Sequence, residues 1–280
     1  MTTLRRRTPG RVLSYVALAG YVVLLGFPLV WLLSTSFKTP RELASVSPSL
    51  LPDSFSLTNF RHAIEQQHLL RAGANSVLVA GCTTVLVLLV SIPASYALAR
   101  YRSRLRGAAI GWILVSQVFP VILIVVPLFL ILKQFGLIDS LVGLILVDLV
   151  WSLPFTLWML QGYVAKIPTE LEEAAATDGA GRLRTLVSVV FPLLLPGITA
   201  TAMFAFVQSW NEFFFALVLI QDPKLNTLPL ALARFVGQEG QVQLGPLAAG
   251  SLLSMIPSLA FFALMQRRLT SGLLAGAVKG

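Results

Sequence analysis

Residues 141–180 read LVGLILVDLVWSLPFTLWMLQGYVAKIPTELEEAAATDGA. The first part, Leu141–Tyr163, is largely apolar, has Asp148 as its one charged residue, and is long enough to cross a bilayer, which takes about 20 residues. The second part, from Ile167 to Ala180, is dense in acids and alanines. Thr169 has the chemistry of an N-cap, and Glu172 three residues on completes the pattern of a capping box. Glu170, Glu172 and Glu173 crowd the first turn, where the helix dipole favours negative charge. Ala174, Ala175 and Ala176 are strong helix formers, and Gly179 is placed to end the helix in the left-handed region. The pattern predicts a helix of about nine residues, roughly 13 Å long. Such a helix is too short to be stable alone, so it must pack on something. Its alanines allow close approach, which suits a groove on another, soluble protein.

The rest of the chain makes the same kind of environment. Of 280 residues, 56% are hydrophobic and 12% charged, with a mean hydropathy of +0.81. A soluble domain carries about twice that charged fraction. The composition predicts an all-α polytopic membrane protein in a single domain, 1–280, with six spans near 12–33, 76–99, 108–132, 141–163, 197–220 and 246–265. The polar segment, about 167–192, lies between the fourth and fifth. The basic start, with Arg5, Arg6, Arg7 and Arg11, resembles a signal peptide, but the apolar run behind it is too long and no A-x-A site follows. It reads as a retained first span.

Charge sets the orientation. With the N-terminus inside, the cytoplasmic cations are Arg5, Arg6, Arg7, Arg11, Arg100, Arg102, Arg104, Arg106, Lys166, Arg182, Arg184, Arg267, Arg268 and Lys279. The outside keeps Lys38, Arg41, Arg61, Arg71, Lys133, Lys224 and Arg234, so the ratio is fourteen to seven. Both termini and the 167–192 segment are then cytoplasmic. The net charge of +9 is explained by this topology, because the cations flank spans rather than forming a nucleic-acid-binding face. Cys82 is the only cysteine, and the only histidines, His62 and His68, lie in an outer loop, so no metal site is expected.

Prolines interrupt the spans at Pro28, Pro93, Pro120, Pro127, Pro154 and Pro257. Two outer loops are long, Ser34–Asn75 and Gln221–Gly245. The second is rich in Gln and Gly and reads as a flexible contact loop. Within the spans, Asp148, Trp151, Asn211 and Glu212 are the candidate pathway residues, because intramembrane acids face a cavity or a partner. For Asn211 and Glu212, bonding to neighbouring helices at the end of the span is the simpler reading. An ion-gradient-driven secondary transporter is the alternative that Asp148 favours. The single docking segment and the lack of an internal repeat weigh against it. An intramembrane enzyme would need a catalytic pair in facing spans, which the sequence does not supply.

The spacing around the polar segment adds a resemblance. Glu173-Ala174-Ala175, three residues, Gly179, nine residues, Val189, one residue and Phe191-Pro192 resembles the E-A-A…G…I-x-L-P signature of ABC-importer permeases, with Val189 for Ile and Phe191 for Leu. Asp178-Gly179-Ala180, Pro196-Gly197, Phe206–Phe213, Ser36-Phe37-Lys38, Asn59-Phe60 and Asn75-Ser76 are similar to the carbohydrate-uptake branch. The C-terminus, from Gln266 to Gly280, resembles the smaller permease subunit of maltose-type importers.

The resemblance implies a type I importer permease fold in a bacterial or archaeal inner membrane. It implies four kinds of partner: a second related permease, an ATPase dimer, an extracytoplasmic solute-binding protein and a sugar substrate. Glu172, Glu173, Ala174, Ala175, Asp178, Gly179 and Ala180 would dock on the ATPase, and Gly276 and Lys279 would approach it from the tail. Gln221–Gly245 would correspond to the loop that reaches into the binding protein. The chain would bind no cofactor itself. ATP and Mg would sit on the partner, consistent with the absence of a G-x-x-x-x-G-K-[ST] motif here.

Overall fold

The computed structural model describes residues 9–45, 47, 49–101, 104–237 and 242–277. Among them the secondary structure is helical, apart from one isolated bridge between Val236 and Val242. Five helices are long and apolar enough to cross a membrane, or six if one bent pair counts as a single span. The chain groups into two compact units. One takes the chain up to Leu69 with Leu232–Leu253, and the other takes Leu70–Ala231 with the chain from Ser254 on.

In the first unit, α1 (Pro9–Phe37) buries none of its apolar window, which is what a helix surrounded by lipid or by another membrane protein requires. Its C-terminal end is polar and buried at Ser34, Thr35 and Ser36. The chain then turns through α2 (Pro40–Leu43) into α3 (Thr58–Gln66). Asn59 explains the turn. Its buried carboxamide donates to the carbonyls of Ser36 (3.0 Å) and Lys38 (2.7 Å), fixing the end of α1 against the start of α3. A Cβ at Gly245 would overlap that carboxamide, so this contact needs glycine. A capping box forms at Thr39. The Glu42 amide reaches the Thr39 hydroxyl, and the Thr39 amide donates to the Glu42 carboxylate at 2.6 Å. These bonds hold the Glu42 carboxyl down at about 2.

The second unit starts with α4 (Leu69–Arg100), whose first residue belongs to the first unit. Next come α5 (Arg104–Val118) and α6 (Val121–Gln134). The sequence suggests one span at 108–132. The structure instead has α5 and α6 meeting at 102° across Phe119-Pro120, because Pro120 lacks the amide that would continue the ladder. α7 (Leu141–Val164) runs unbroken through the quoted apolar stretch, Pro154 included, with Ser140 capping its start.

After α7 come α8 (Glu170–Thr177), α9 (Arg182–Thr185), a π turn at Leu186–Val190 and α10 (Phe191–Trp210). The last three form one helical run from Arg182 to Trp210. The span expected at 197–220 therefore begins earlier and breaks after Trp210. Pro192 and Pro196 each lack an amide in the ladder, and a π turn directly before Pro192 is where such a run changes register. α11 (Phe214–Leu219) follows the break. A 3₁₀ turn, Pro223–Leu225, leads to α12 (Leu228–Ala233), which straddles the two units, and α13 (Leu244–Ala277) ends the described chain.

Residues 221–228, the first part of the loop expected to be flexible, are tied to distant polar side chains. In the second unit, Asn75 donates to the carbonyls of Lys224 (3.0 Å) and Asn226 (2.9 Å), and the Leu228 amide donates to Ser76 Oγ at 2.7 Å. Asp139 Oδ1 accepts from the amides of Gln221 and Asp222. Polar side chains far away in sequence satisfy this backbone, so the segment is held. Residues 238–241 lie outside the described residues.

Lipid tails are as apolar as leucine, so helices in a bilayer associate through close packing and hydrogen bonds. Both occur around α7. Ser91 of α4 and Thr156 of α7, each fully buried, bond at 3.0 Å. Gly197 of α10 packs on the Tyr163 ring so closely that a Cβ would lie 2.6 Å from its Cγ. Gly197→Ala is expected to destabilise the protein by about 1–3 kcal/mol, the usual cost of overpacking. Gly20→Ala, whose Cβ would meet nothing within 4 Å, is expected to be neutral. Thermal unfolding of the two variants in detergent checks this. Equal melting temperatures would show that Tyr163 moves aside freely.

Candidate functional site

Two places in the second unit carry chemistry. The first is α8. Thr169 precedes it in helical geometry (φ −68°, ψ −25°) and makes no side-chain cap, so the capping box expected there does not form. The reason is a better partner for Glu172. Arg100 Nε donates to Glu172 Oε1 at 2.7 Å, and the Tyr96 hydroxyl donates to Oε2 at 2.6 Å. The guanidinium brings a full positive charge, which the local amide lacks, and with the Tyr96 hydroxyl it occupies both oxygens of the carboxylate. Arg100 also donates through Nη2 to the Ile167 carbonyl at 2.7 Å, so one guanidinium pins both the approach to α8 and its first turn to the end of α4.

No residue of α8 is buried. Glu172 and Ala175 face the protein and are half-buried, as is Ala180 just beyond the helix. Leu171, Glu173, Ala174, Thr177 and Asp178 form the open face. Gly179 has φ +80°, and beyond it the Ala180 amide donates to the Ala175 carbonyl at 2.9 Å. That is the six-to-one bond of a Schellman ending, which needs a left-handed residue where Gly179 stands. The π turn and α10 then continue this hairpin directly into a long apolar helix. Leu160, Val164, Ile167, Val190 and Leu194 form a buried cluster beneath it.

The second place is a cavity of about 190 Å³ between α7 and α10. Asp148, Trp151 and Ser152 come from α7, Gln208 and Ser209 from α10, and Glu212, Phe214 and Phe215 from the break and the start of α11. Ser209 Oγ donates to Asp148 Oδ2 at 2.5 Å. Glu212 accepts from the amides of Phe215 and Ala216, so its carboxylate caps α11 while also lining the cavity. The Trp151 and Phe215 rings meet edge to face at 5.8 Å. Among the described residues no group of three or more potential ligands could hold a metal ion.

Residues 91–273 match the family described as binding-protein-dependent transport system inner membrane component, and this stretch contains both α8 and the cavity. The chain belongs to this family. A permease protein of Streptomyces antibioticus, described as a putative ABC transporter permease, is 57% identical over 82% of this chain and all of its own length. The diacetylchitobiose uptake system permease protein DasC of Streptomyces coelicolor is 36% identical over 99% of this chain and all of its own. The fold is similar to a solved bacterial ABC transporter involved in import of the acidic polysaccharide alginate. There the TM-score is 0.79 at 22% identity, covering 95% of this chain and 99% of the other.

In this permease the structure brings together Asp148, Trp151 and Glu212 of the four pathway residues read from sequence. Asn211 stands apart, exposed, with its amide spent on the Val207 carbonyl at 2.8 Å. Gly276 falls near the end of α13, and Lys279 lies outside the described residues. The sequence reading missed Tyr96 and the pairing of Arg100. Arg100 counted only as a cytoplasmic cation, and nothing local ties it to an acid 72 residues away. Ser209 was likewise invisible as the partner of Asp148.

Proposed function

We propose that this permease forms the membrane pathway of an ATP-driven sugar importer and is coupled to a separate ATPase through α8. The observation that carries this reading is α8 itself. It is a short helix with no buried residue, an open acid-and-alanine face, and a fixed attachment to α4 through Arg100 and Glu172. A helix of eight residues gains little from its own hydrogen bonds, so an open face held this firmly suits a partner groove. Membership in a binding-protein-dependent family supports delivery of the solute by an extracytoplasmic protein, and the diacetylchitobiose relative supports a sugar.

On this reading Glu173, Ala174, Asp178 and Gly179 meet the ATPase directly, while Glu172, Ala175 and Ala180 hold the helix in place. A second permease completes the pathway. α8 and both termini lie in the cytoplasm, and ATP with Mg binds only the ATPase. A push on α8 would pass along the rigid run through the π turn into α10, and through Arg100 into α4.

The test starts from Cys82, the only cysteine. Ala174→Cys in a Cys82→Ser background is expected to cross-link to a cysteine placed in the co-purified ATPase, with a yield that changes on adding ATP. Uptake should stop when ATP is removed and survive collapse of ion gradients. A chain that purifies reproducibly alone and transports in liposomes on an ion gradient would replace this reading with a secondary transporter.

A further inference from the structure

The two arms of the polar hairpin differ in chemistry. α8 and its cap expose Glu170, Glu173 and Asp178 and no cation. The helical run that follows, from Arg182 to Leu195, exposes only apolar side chains, two arginines and one serine, and no acid. Leu183 is 74% and Val187 57% exposed, and with Phe191 and Leu195 they recur every four residues. That spacing drifts around an α-helix, but the wider π turn at Leu186–Val190 offsets the drift, so the four form one open stripe. The opposite face is buried at Thr185, Val190 and Leu194.

The cations flank the start of this stripe. Arg182 lies over the Tyr101 ring at 5.6 Å, directly after the end of α4, and neither Arg182 nor Arg184 forms an ion pair among the described residues. Tyrosine and arginine at the end of a span are residues of the membrane interface. A guanidinium resting on a ring uses its face and keeps its N–H edge, which matches the oxygens of a phosphate. The run has 29 residues up to Trp210, roughly 43 Å at 1.5 Å each, against about 30 Å of hydrocarbon. Some of it therefore lies outside the hydrocarbon, and the arginines mark the Arg182 end as that part. A protein groove basic enough to receive the acids of α8 would repel these arginines, which favours a lipid surface over the ATPase as their partner.

We propose that residues 182–190 form a docking surface for the anionic inner leaflet, with Leu183 and Val187 entering the boundary between headgroups and acyl chains and Arg182 and Arg184 pairing with lipid phosphates. The leaflet that attracts the arginines repels Glu170, Glu173 and Asp178, so the same contact leaves α8 turned toward the cytoplasm and the ATPase. The inference rests on the cytoplasmic placement of α8 in the import reading.

The test uses the intact complex in liposomes, with Val187→Cys in a Cys82→Ser background, partner subunits free of cysteine, and a fluorophore on the new thiol. Phosphatidylcholine or phosphatidylglycerol carrying a headgroup spin label is the quencher, in an equal mixture of the two lipids. The Val187 label is expected to be quenched at least threefold more than the same label at Ala174→Cys. Spin-labelled phosphatidylglycerol should quench it at least twofold better than spin-labelled phosphatidylcholine. Arg182→Gln with Arg184→Gln, both at exposed positions, should bring the two lipids to equality.

Quenching at Val187 no stronger than at Ala174 would overturn the proposal, and a cross-link from Val187→Cys to the ATPase would name the protein that covers the stripe instead. Equal quenching by the two lipids in the unaltered arginine background would also overturn it, as would a preference that survives loss of both arginines. Uptake of labelled diacetylchitobiose, maltose and trehalose by cells is measured in parallel. Uptake without lipid quenching at Val187 removes the docking surface alone, and no uptake of any sugar removes the import reading beneath it.

Discussion

Gly179→Asp is expected to lower uptake at least a hundredfold while the permease still inserts in the membrane at normal levels. The cause lies in the backbone and the charge, since a Cβ at Gly179 would meet nothing within 4 Å. At φ +80° an L-residue pays about 1–2 kcal/mol, although aspartate tolerates the region better than most. The new carboxylate would also sit next to Asp178 at the negative end of the α8 dipole, which adds about 0.3–1 kcal/mol. Together these are comparable to everything that holds the last turn of an eight-residue helix, and the Ala180 to Ala175 bond is the first to go. The docking face would lose its shape at the point where it must seat.

Controls separate the causes. Gly179→Asn shares the tolerance for φ without the charge and should be milder. Gly181→Ala, with an ordinary φ and open space, should be silent. Uptake per inserted copy, quantified from membranes, is the measurement, and normal uptake by Gly179→Asp would remove α8 from the coupling role.

Arg100→Ala is the second large effect. The Arg100 and Glu172 side chains are only 12% and 13% exposed. Removing one partner of a fully buried pair strands the other charge and costs about 3–5 kcal/mol, and this pair is nearly but not fully out of solvent. The lower end is expected here, because the Tyr96 hydroxyl still donates to Glu172. Arg100→Lys should not rescue, since Nε and Nη2 serve two acceptors that a single ammonium cannot match in direction. Glu172→Ala should also weaken the attachment, and the double variant should be less than additive because the two share one interaction. Amide exchange in α8 reads the effect directly. Exchange as slow as in the unaltered protein would show that α8 is held by something other than this pair.

These two predictions rest on different kinds of legibility. Gly179 could be read from sequence, because the end of a helix is a local event and acids, alanines and a glycine in that order describe it fully. The clamp on Glu172 could not. The same holds in the membrane: Asp148 stands out in Leu141–Tyr163 as the one acid in an apolar run, but its partner Ser209 is 61 residues away in another helix. The break between α5 and α6 was signalled by Pro120, yet a proline in a span is as compatible with a shallow kink as with a 102° bend. The held segment 221–228 misled in the opposite direction, because its backbone is bonded to Asn75, Ser76 and Asp139, none of them nearby in sequence.

Two copies of one local pattern show where the boundary falls. Thr39-Pro40-Arg41-Glu42 and Thr169-Glu170-Leu171-Glu172 both place a threonine three residues before a glutamate. At the first the glutamate closes a capping box, and at the second it does not. The sequence by itself determined that apolar stretches of bilayer length exist, that a short acidic helix lies between two of them, and that a glycine ends it. These follow from hydrophobic length, backbone propensity and φ, which are properties of neighbouring residues. Only the tertiary structure decided which glutamate capped its own helix and which was drawn away to Arg100 and Tyr96. A carboxylate goes to the strongest donor within reach, and which donors come within reach is set by how the helices pack.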